Sequence, residues 1–398
     1  MTSSDPSARR LCATLRLIAG LAGFVVILAP WWMAREQAGH SFPGFAVAPP
    51  RAVADPSPYF AVTKLNPQSP QRKAHSATLA ELSDGTLACA WYAGRGEGAA
   101  DVTIEFARRD ASGVWSAPRT LFDRAGTADA LRRHVVSLGN PLLLPAADGK
   151  LGLLFVSISA GKWSGSSINV SWSADSGDSW SAPEKFGLNP LANLSALPRN
   201  PPSPLVGGGW AVPIYEEFIG RYPEILWLQP WKDGYSAAVT RLRGGMSVFQ
   251  PSIVPVSPSA ALAFYRDDSG VGRVTLARSS DRGRTWSEPE ASVLPNVDSG
   301  VCALRLPDGR LICAVNDAKD RNRENLRLAL SADDGKSWRI IVTLDEEPGM
   351  EVSYPYMILG SNGRVLMVYS ALGREIRYAE FNTAWIDAQL AAGGGDAP

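Results

Sequence analysis

The chain has 398 residues, with 39 basic and 39 acidic side chains and a formal net charge of zero. That balance, with no basic stripe, argues against nucleic acid as a partner. Three histidines (His40, His75, His134) and four cysteines in no metal-ligand spacing predict neither a metal site nor a cofactor.

In chain order, the first feature is the uncharged run 17–33, LIAGLAGFVVILAPWWM, with Arg9, Arg10 and Arg16 before it and Arg35 and Glu36 after it. It predicts a membrane-spanning helix within an anchor region 1–36. The basic flank orients it with the N-terminus in the cytoplasm, so the rest of the chain would lie on the periplasmic side of an inner membrane, held by a single pass. A cleaved signal peptide is the rival reading. Residues 37–57, rich in Pro, Gly and Ala, read as a linker, and 58–65, PYFAVTKL, as a strand.

Six strand–turn–strand segments follow. Their turns centre near Asp84, Asp148, Gly208, Pro258, Asp308 and Asn362, at steps of 64, 60, 50, 50 and 54 residues. Val, Leu, Ile and aromatics fill the strands, and Asp-Gly, Asn-Gly or Gly-Gly marks most turns. A second repeat, S-x-D-x-G-x-x-W, occurs at 173–180, 279–286 and 331–338, with a degenerate copy from Asp110 to Trp115. There the Asp carboxylate can accept turn N–H groups, Gly can take φ > 0, and Trp leaves as an apolar plug. Four strands in each of six units predict an all-β fold, a six-bladed β-propeller over 58–384, followed by a disordered tail at 385–398. The last unit supplies three strands (354–360, 364–370, 374–382), so the 58–65 strand is expected to complete it and close the ring. Pairing about Asp308-Gly309 would set Cys302 opposite Val315, so no disulfide with Cys313 is expected.

Counting eight residues back from each turn gives Ser76, Asn140, Asn200, Gln250, Gly300 and Tyr354. Eight forward gives Tyr92, Val156, Glu216, Arg266, Asn316 and Ser370. These positions share one rim near the axis, and most are polar in otherwise apolar strands. Beside them stand His75, Arg95, Glu97, Asp101, Arg199, Tyr215, Glu217, Asp267 and Asp317. Carboxylates, Tyr and Arg at one rim fit glycoside chemistry; a solvated channel without chemistry is the plain alternative.

The three S-x-D-x-G-x-x-W boxes, the six units and the segment HSATLAELSDGTLACAWYAGRGEGAADVTIEFARR together resemble the sialidase superfamily, over roughly residues 67–384. The resemblance implies a retaining exo-glycosidase acting on a terminal sialic or other acidic sugar of a glycan. It places a Tyr nucleophile at Tyr354, its activating carboxylate at Glu217 or Glu216, and the acid/base at Asp101. Strand alternation lets one of the two glutamates face the axis; the ring count favours Glu216 and the family pattern Glu217. The resemblance further implies an arginine clamp on the sugar carboxylate. The first clamp position holds Ala74-His75-Ser76-Ala77 and the fifth-blade position Asp298-Ser299-Gly300, without arginine. Substrate contacts are expected from His75, Arg95, Glu97, Asn140, Arg199, Asn200, Tyr215, Gln250, Arg266, Asp267, Asn316 and Asp317. A non-catalytic glycan-binding propeller and a polysaccharide lyase using His75 and a Tyr remain alternatives.

Overall fold

The computed structural model describes residues 42–49, 56–65, 72–187, 193–231, 234–317 and 322–393. The apolar run 17–33, and the anchor read from it, lies outside them. Among the described residues no helix is long and apolar enough to cross a membrane.

Six antiparallel sheets form a β-propeller. Blade 1 holds Lys73–Glu81, Leu87–Gly94, Thr103–Arg109 and Arg119–Phe122; blade 2 holds Ser137–Pro145, Leu151–Ile158, Ser166–Ser173 and Glu184–Lys185. In blade 3 the inner strand is broken into Ala196–Pro198 and Ser203–Pro204, followed by Trp210–Glu216, Tyr222–Trp231 and Gly234–Arg241. The break spans Pro201 and Pro202, which have no N–H to give a ladder. Blade 4 is Val248–Pro255, Ala261–Asp267, Arg273–Ser279 and Glu290–Pro295; blade 5 is Cys302–Arg305, Leu311–Val315, Asn325–Ser331 and Arg339–Glu346. Blade 6 is Val352–Leu359, Val365–Ala371 and Glu375–Phe381, with Phe60–Lys64 as its outermost strand. The register runs from Phe60 opposite Phe381 to Lys64 opposite Arg377. The first described strand therefore pairs with the last, and the ring closes.

The S-x-D-x-G-x-x-W turns link the third and fourth strands of their own blades and pack against the preceding blade. Asp175 accepts the Ser179 N–H at 2.8 Å and the Ser173 hydroxyl at 2.7 Å, while the Trp180 indole N–H returns to the Gly177 carbonyl at 3.0 Å. The indole then packs on the preceding blade. Trp180 meets Phe106 edge-on at 5.9 Å, Trp338 meets Phe264 at 5.7 Å, and Trp115 of the degenerate copy meets Tyr378 at 5.5 Å. At two of these turns glycine is required for space as well as for its positive φ. A Cβ at Gly177 would lie 2.5 Å from Phe106, and one at Gly283 would lie 2.8 Å from Trp227.

Three expectations are corrected. Residues 42–49, read as linker, lie against the turn end of blades 3 and 4. Phe45 is buried, bridges to Leu205 and packs on Trp227, and its N–H donates to the Pro258 carbonyl at 3.0 Å. The tail read as disordered over 385–398 begins inside a helix, Thr383–Ala391, capped by the Asn382 side chain on the Trp385 N–H, and 394–398 lie outside the described residues. Trp385 stacks on Phe60 at 4.6 Å, so the helix pins the closing strand. Cys302 faces Ala314 rather than Val315, because the turn spans five residues: Leu306 N–H bonds the Arg310 carbonyl and Gly309 takes φ 95. Cys89, Cys302 and Cys313 are buried free thiols, as the absence of a disulfide requires.

Candidate functional site

Ser76, Asn140, Asn200, Gln250 and Tyr354 share an unusual backbone. All five have positive φ (54, 40, 72, 50 and 53) and stand at the same place in five different blades. In four blades the register slips there: His75/Thr78, Gly139/Leu142, Phe249/Ser252 and Ser353/Tyr356. Each slip is a β-bulge, which bends the strand and re-aims a side chain. Pro141, Pro201, Pro251 and Pro355 follow four of these residues, and a proline cannot continue the ladder. The sixth equivalent position is Gly300, where a Cβ would sit 3.2 Å from Cδ1 of Tyr354. The missing side chain leaves Tyr354 its place.

The bulges surround a pocket of ≈ 220 Å³ whose wall includes Tyr92, Glu97, Tyr215, Glu217, Tyr354 and four arginines, Arg199, Arg221, Arg266 and Arg323. Tyr354 is central. Arg266 Nη1 donates to its hydroxyl at 3.2 Å and to Gln250 Oε1 at 3.3 Å, while Arg266 Nε donates to Asp298 at 2.7 Å. Burial works against the Arg266 charge, but Tyr354 and Asp298 hold its pKa above the ordinary value. The guanidinium of Arg199 lies 5.1 Å above the Tyr354 ring and that of Arg323 5.6 Å from it. His75 meets the ring edge-on at 4.5 Å.

The charges differ in how they are paired. Arg323 bonds Glu351 at 3.0 Å, and Glu351 also accepts from the Ser353 hydroxyl at 2.6 Å. Arg221 pairs with Asp268 and lies 3.6 Å from Glu217. Arg199 donates to the carbonyls of Pro355 (3.1 Å) and Ala77 (3.5 Å), has a buried Nε with no partner, and makes no ion pair among the described residues. Burial pulls its pKa down. Burial also raises the pKa of Glu217, against Arg221 and Arg266, and that of Tyr215, whose hydroxyl accepts from Asn140 and Gln250. It lowers that of His75, against the pull of Glu351.

Several expected site residues fall elsewhere. Glu216 ends its strand with its side chain on Arg241 at 2.6 Å, toward the blade's outer strand; Glu217, one residue past the strand, faces the pocket. Asp101 folds back onto its own loop, accepting the Arg95 N–H at 3.1 Å, with Arg95 Nε at 3.3 Å; neither side chain lines the pocket. Glu97, from the same loop, does, and its carboxylate accepts the Trp163 indole N–H at 2.5 Å. Asn200 turns its amide onto the carbonyls of Gln250 and Pro251. Asp267 caps the Ser269 N–H. Asn316 ties the Val352 carbonyl, and Asp317 pairs with Arg327 and Asn325. These side chains hold the rim and do not line the cavity. Ser76, Tyr92, Asn140, Arg199, Tyr215, Gln250, Arg266 and Tyr354 line it as the ring count or its neighbours suggest, with His75 against Tyr354.

Sequence reasoning missed Trp163, Arg221, Phe249 and Arg323. Phe249 precedes the bulge at Gln250, and Pro251 directly after it was the signal that could have located it. The other three lie between the second and third strands of their blades, where no repeat spacing applies. Among the described residues no group of His, Cys, Asp or Glu is placed to hold a metal ion.

The BNR repeat-like domain family matches residues 85–367, well over half the chain. A sialidase from Micromonospora viridifaciens is 25% identical over 189 residues, an alignment covering 45% of this chain and 26% of that protein. The chain thus matches about a quarter of that relative's length. Among solved structures, the Hadza microbial sialidase Hz136 superposes with a TM-score of 0.62 at 16% identity, covering 77% of this chain and 65% of that one. A protein of unknown function from Dyadobacter fermentans gives 0.64 at 16%, covering 81% and 99%, and the Trypanosoma rangeli sialidase bound to the inhibitor DANA gives 0.61 at 12%, covering 84% and 61%. At these identities the structural likeness speaks for the fold alone. With its closed six-bladed ring and its matched repeats, the chain belongs to the BNR repeat-like domain family, within the sialidase-like superfamily.

Proposed function

We propose that the pocket removes a terminal, carboxylate-bearing sugar from a glycan with retention of configuration. The observation that carries this is Arg199. A buried cation without a paired anion is costly, and here it borders a pocket beside a central Tyr, so an anionic substrate would supply the missing partner. Arg199 comes from blade 3, yet its guanidinium reaches the Ala77 carbonyl at the start of blade 1. That is where the sialidase pattern expects a clamp arginine and this sequence has none.

In the proposed cycle the Tyr354 oxygen attacks the anomeric carbon and its proton passes to Glu217, whose buried carboxylate has a raised affinity for it. The Arg266 N–H steadies the developing phenolate. The glycosidic C–O bond breaks, and the leaving oxygen takes a proton from Glu97. Water, deprotonated by Glu97, then displaces Tyr354 from the anomeric carbon, and the proton on Glu217 returns to the phenolate. A neutral Tyr suits this chemistry because a carboxylate nucleophile would repel the sugar's own carboxylate.

The contact of His75 with Tyr354 favours a second reading, a polysaccharide lyase in which a neutral imidazole takes the proton next to a uronate carboxylate. Turnover of a panel of aryl glycosides, sialosides included, and of uronate-containing polysaccharides separates them. Release of a terminal acidic sugar, abolished in Tyr354→Phe and Glu97→Gln, supports the glycosidase; an unsaturated, ultraviolet-absorbing product supports the lyase. No turnover on any member, with equal glycan binding by the parent and Arg199→Met, defeats both.

We also propose that the run 17–33 anchors the chain in an inner membrane with the propeller on the periplasmic side. Residues 42–49 dock at the turn end of the blades, away from the rim that holds the pocket, so the pocket of an anchored molecule would face away from the bilayer.

A further inference from the structure

We infer that the turn end of the propeller takes an acyl chain of an anionic phospholipid and so seats the molecule on its bilayer. The inference rests on the proposed anchor at 17–33. It concerns a hollow of ≈ 350 Å³ at the end of the blades opposite the pocket. Its walls are the turn ends of the first strands of blades 3 to 6, with Pro204, Val254, Leu304 and Ile358. Gln250 and Tyr354 stand near the other ends of two of these strands, where the pocket lies.

The walls suit hydrocarbon. Six lining residues are proline (Pro49, Pro201, Pro202, Pro204, Pro255 and Pro307), and proline has no N–H to give a peptide or a sugar. Both lining serines are engaged by backbone. Ser203 donates to the Ile253 carbonyl at 3.2 Å, and the Ser252 hydroxyl accepts the Ala303 N–H at 3.0 Å. Arg305 is the single charged residue of the lining. Half-buried, it donates to the Ala48 carbonyl at 3.4 Å and has no ion pair among the described residues. An apolar hollow with one unpaired guanidinium is complementary to a molecule with a hydrocarbon tail and an anionic head, and a guanidinium holds a phosphate by paired N–H bonds. The bilayer is the source within reach. Residues 46–49 form one wall of the hollow, with the Ala46 N–H on the Pro204 carbonyl at 2.9 Å. Residues 34–41 separate the proposed span from Phe42, and a stretch of that length reaches at most about 30 Å. Seated in this way, the pocket would open at the far end of strands such as Val352–Leu359, about 25 Å above the bilayer at ~3.3 Å per residue. It would serve glycans that stand clear of this membrane.

The test reconstitutes the full chain in phosphatidylcholine vesicles doped with a phosphatidylglycerol whose acyl chain ends in a diazirine, and maps the photolabel by peptide mass. Label on 17–33 reports the anchor, and label on 303–307 and 357–359 reports the hollow; both are expected. A diazirine phosphatidylcholine should mark the hollow at least five-fold less, a comparison that needs no variant. Arg305→Glu should cut the phosphatidylglycerol signal there by a similar factor and leave the signal on 17–33 unchanged, while Arg305→Lys keeps most of it. Label confined to 17–33, or equal label at the hollow from the two lipids, overturns the inference. If 17–33 takes no label, the anchor reading fails, and a diazirine dioctanoyl phosphatidylglycerol offered in solution decides the hollow separately. Label at 303–307 and 357–359 that Arg305→Glu removes upholds the lipid site; no label there, or label that survives Arg305→Glu, overturns it.

Discussion

Arg199 gives the pocket its unsatisfied charge. Arg199→Met should leave the fold intact or more stable, because it removes a buried cation that no carboxylate pairs among the described residues. The same change should weaken a carboxylate-bearing ligand by about 1.5–3 kcal/mol, the range for charged hydrogen bonds, or roughly ten- to a hundred-fold in affinity. A melt beside a binding titration checks both halves. His75 and Glu351 make a second residue-scale prediction. Burial lowers the His75 pKa from 6.5, and the folded-state pKa of Glu351 lies below 4.5 although burial opposes it, through His75, Ser353 and Arg323. Both groups therefore bind protons less readily in the folded chain than in the unfolded chain. Stability should fall as pH drops below 6.5 through His75, and again below 4.5 through Glu351. Denaturant midpoints at pH 7.5 and 5.5 should differ less in His75→Asn than in the parent. Glu217 has the opposite sign: its raised pKa makes ionisation a cost as pH rises above 4.5.

At the scale of elements, the bulge and the Asp-Gly-Trp turn have separate tasks. The bulge aims a side chain at the axis, and the turn fastens a blade to the one before it. Asp281→Ala removes the acceptor for the Thr285 N–H and the Ser279 hydroxyl. The cost should be about 1 kcal/mol, since water can reach part of this turn. A lower melting temperature with unchanged activity per folded molecule is expected. Activity lost without a shift in melting would place this turn in the reaction. The positions of these devices were legible because the repeated turn, together with a strand of fixed length, sets where each inner strand meets the rim. The faces were less legible. Glu216 is the last residue of its strand, so alternation ceases at Glu217, and nothing local distinguishes the two. Glu97 and Asp101 share one loop, and the choice between them depends on the Trp163 indole arriving from blade 2.

For the whole molecule, closure decides stability. A chain beginning at residue 72 lacks Phe60–Lys64 and would expose the edge of Glu375–Phe381 and one face of Trp385. It should melt well below a chain beginning at 42 and should self-associate through that edge; light scattering during a thermal ramp checks this. Phe45→Ala tests the docked N-terminal segment. Emptying a fully buried aromatic site costs about 3–5 kcal/mol in general, and near-parental stability would mean that the segment is not held as described.

The amino-acid sequence by itself determined the repeat, and with it the number of blades, the need for a closing strand and the ring of axial positions. These follow from local rules, turn residues and strand alternation, that act within a few residues of each other. Tertiary structure alone decided which charges share the pocket. Arg199, Arg221, Arg266 and Arg323 come from blades 3, 4 and 5, and Arg221 and Arg323 lie in connections whose lengths follow no repeat. Their convergence on one pocket depends on how the blades twist about one axis, a property of the closed ring and of no single segment.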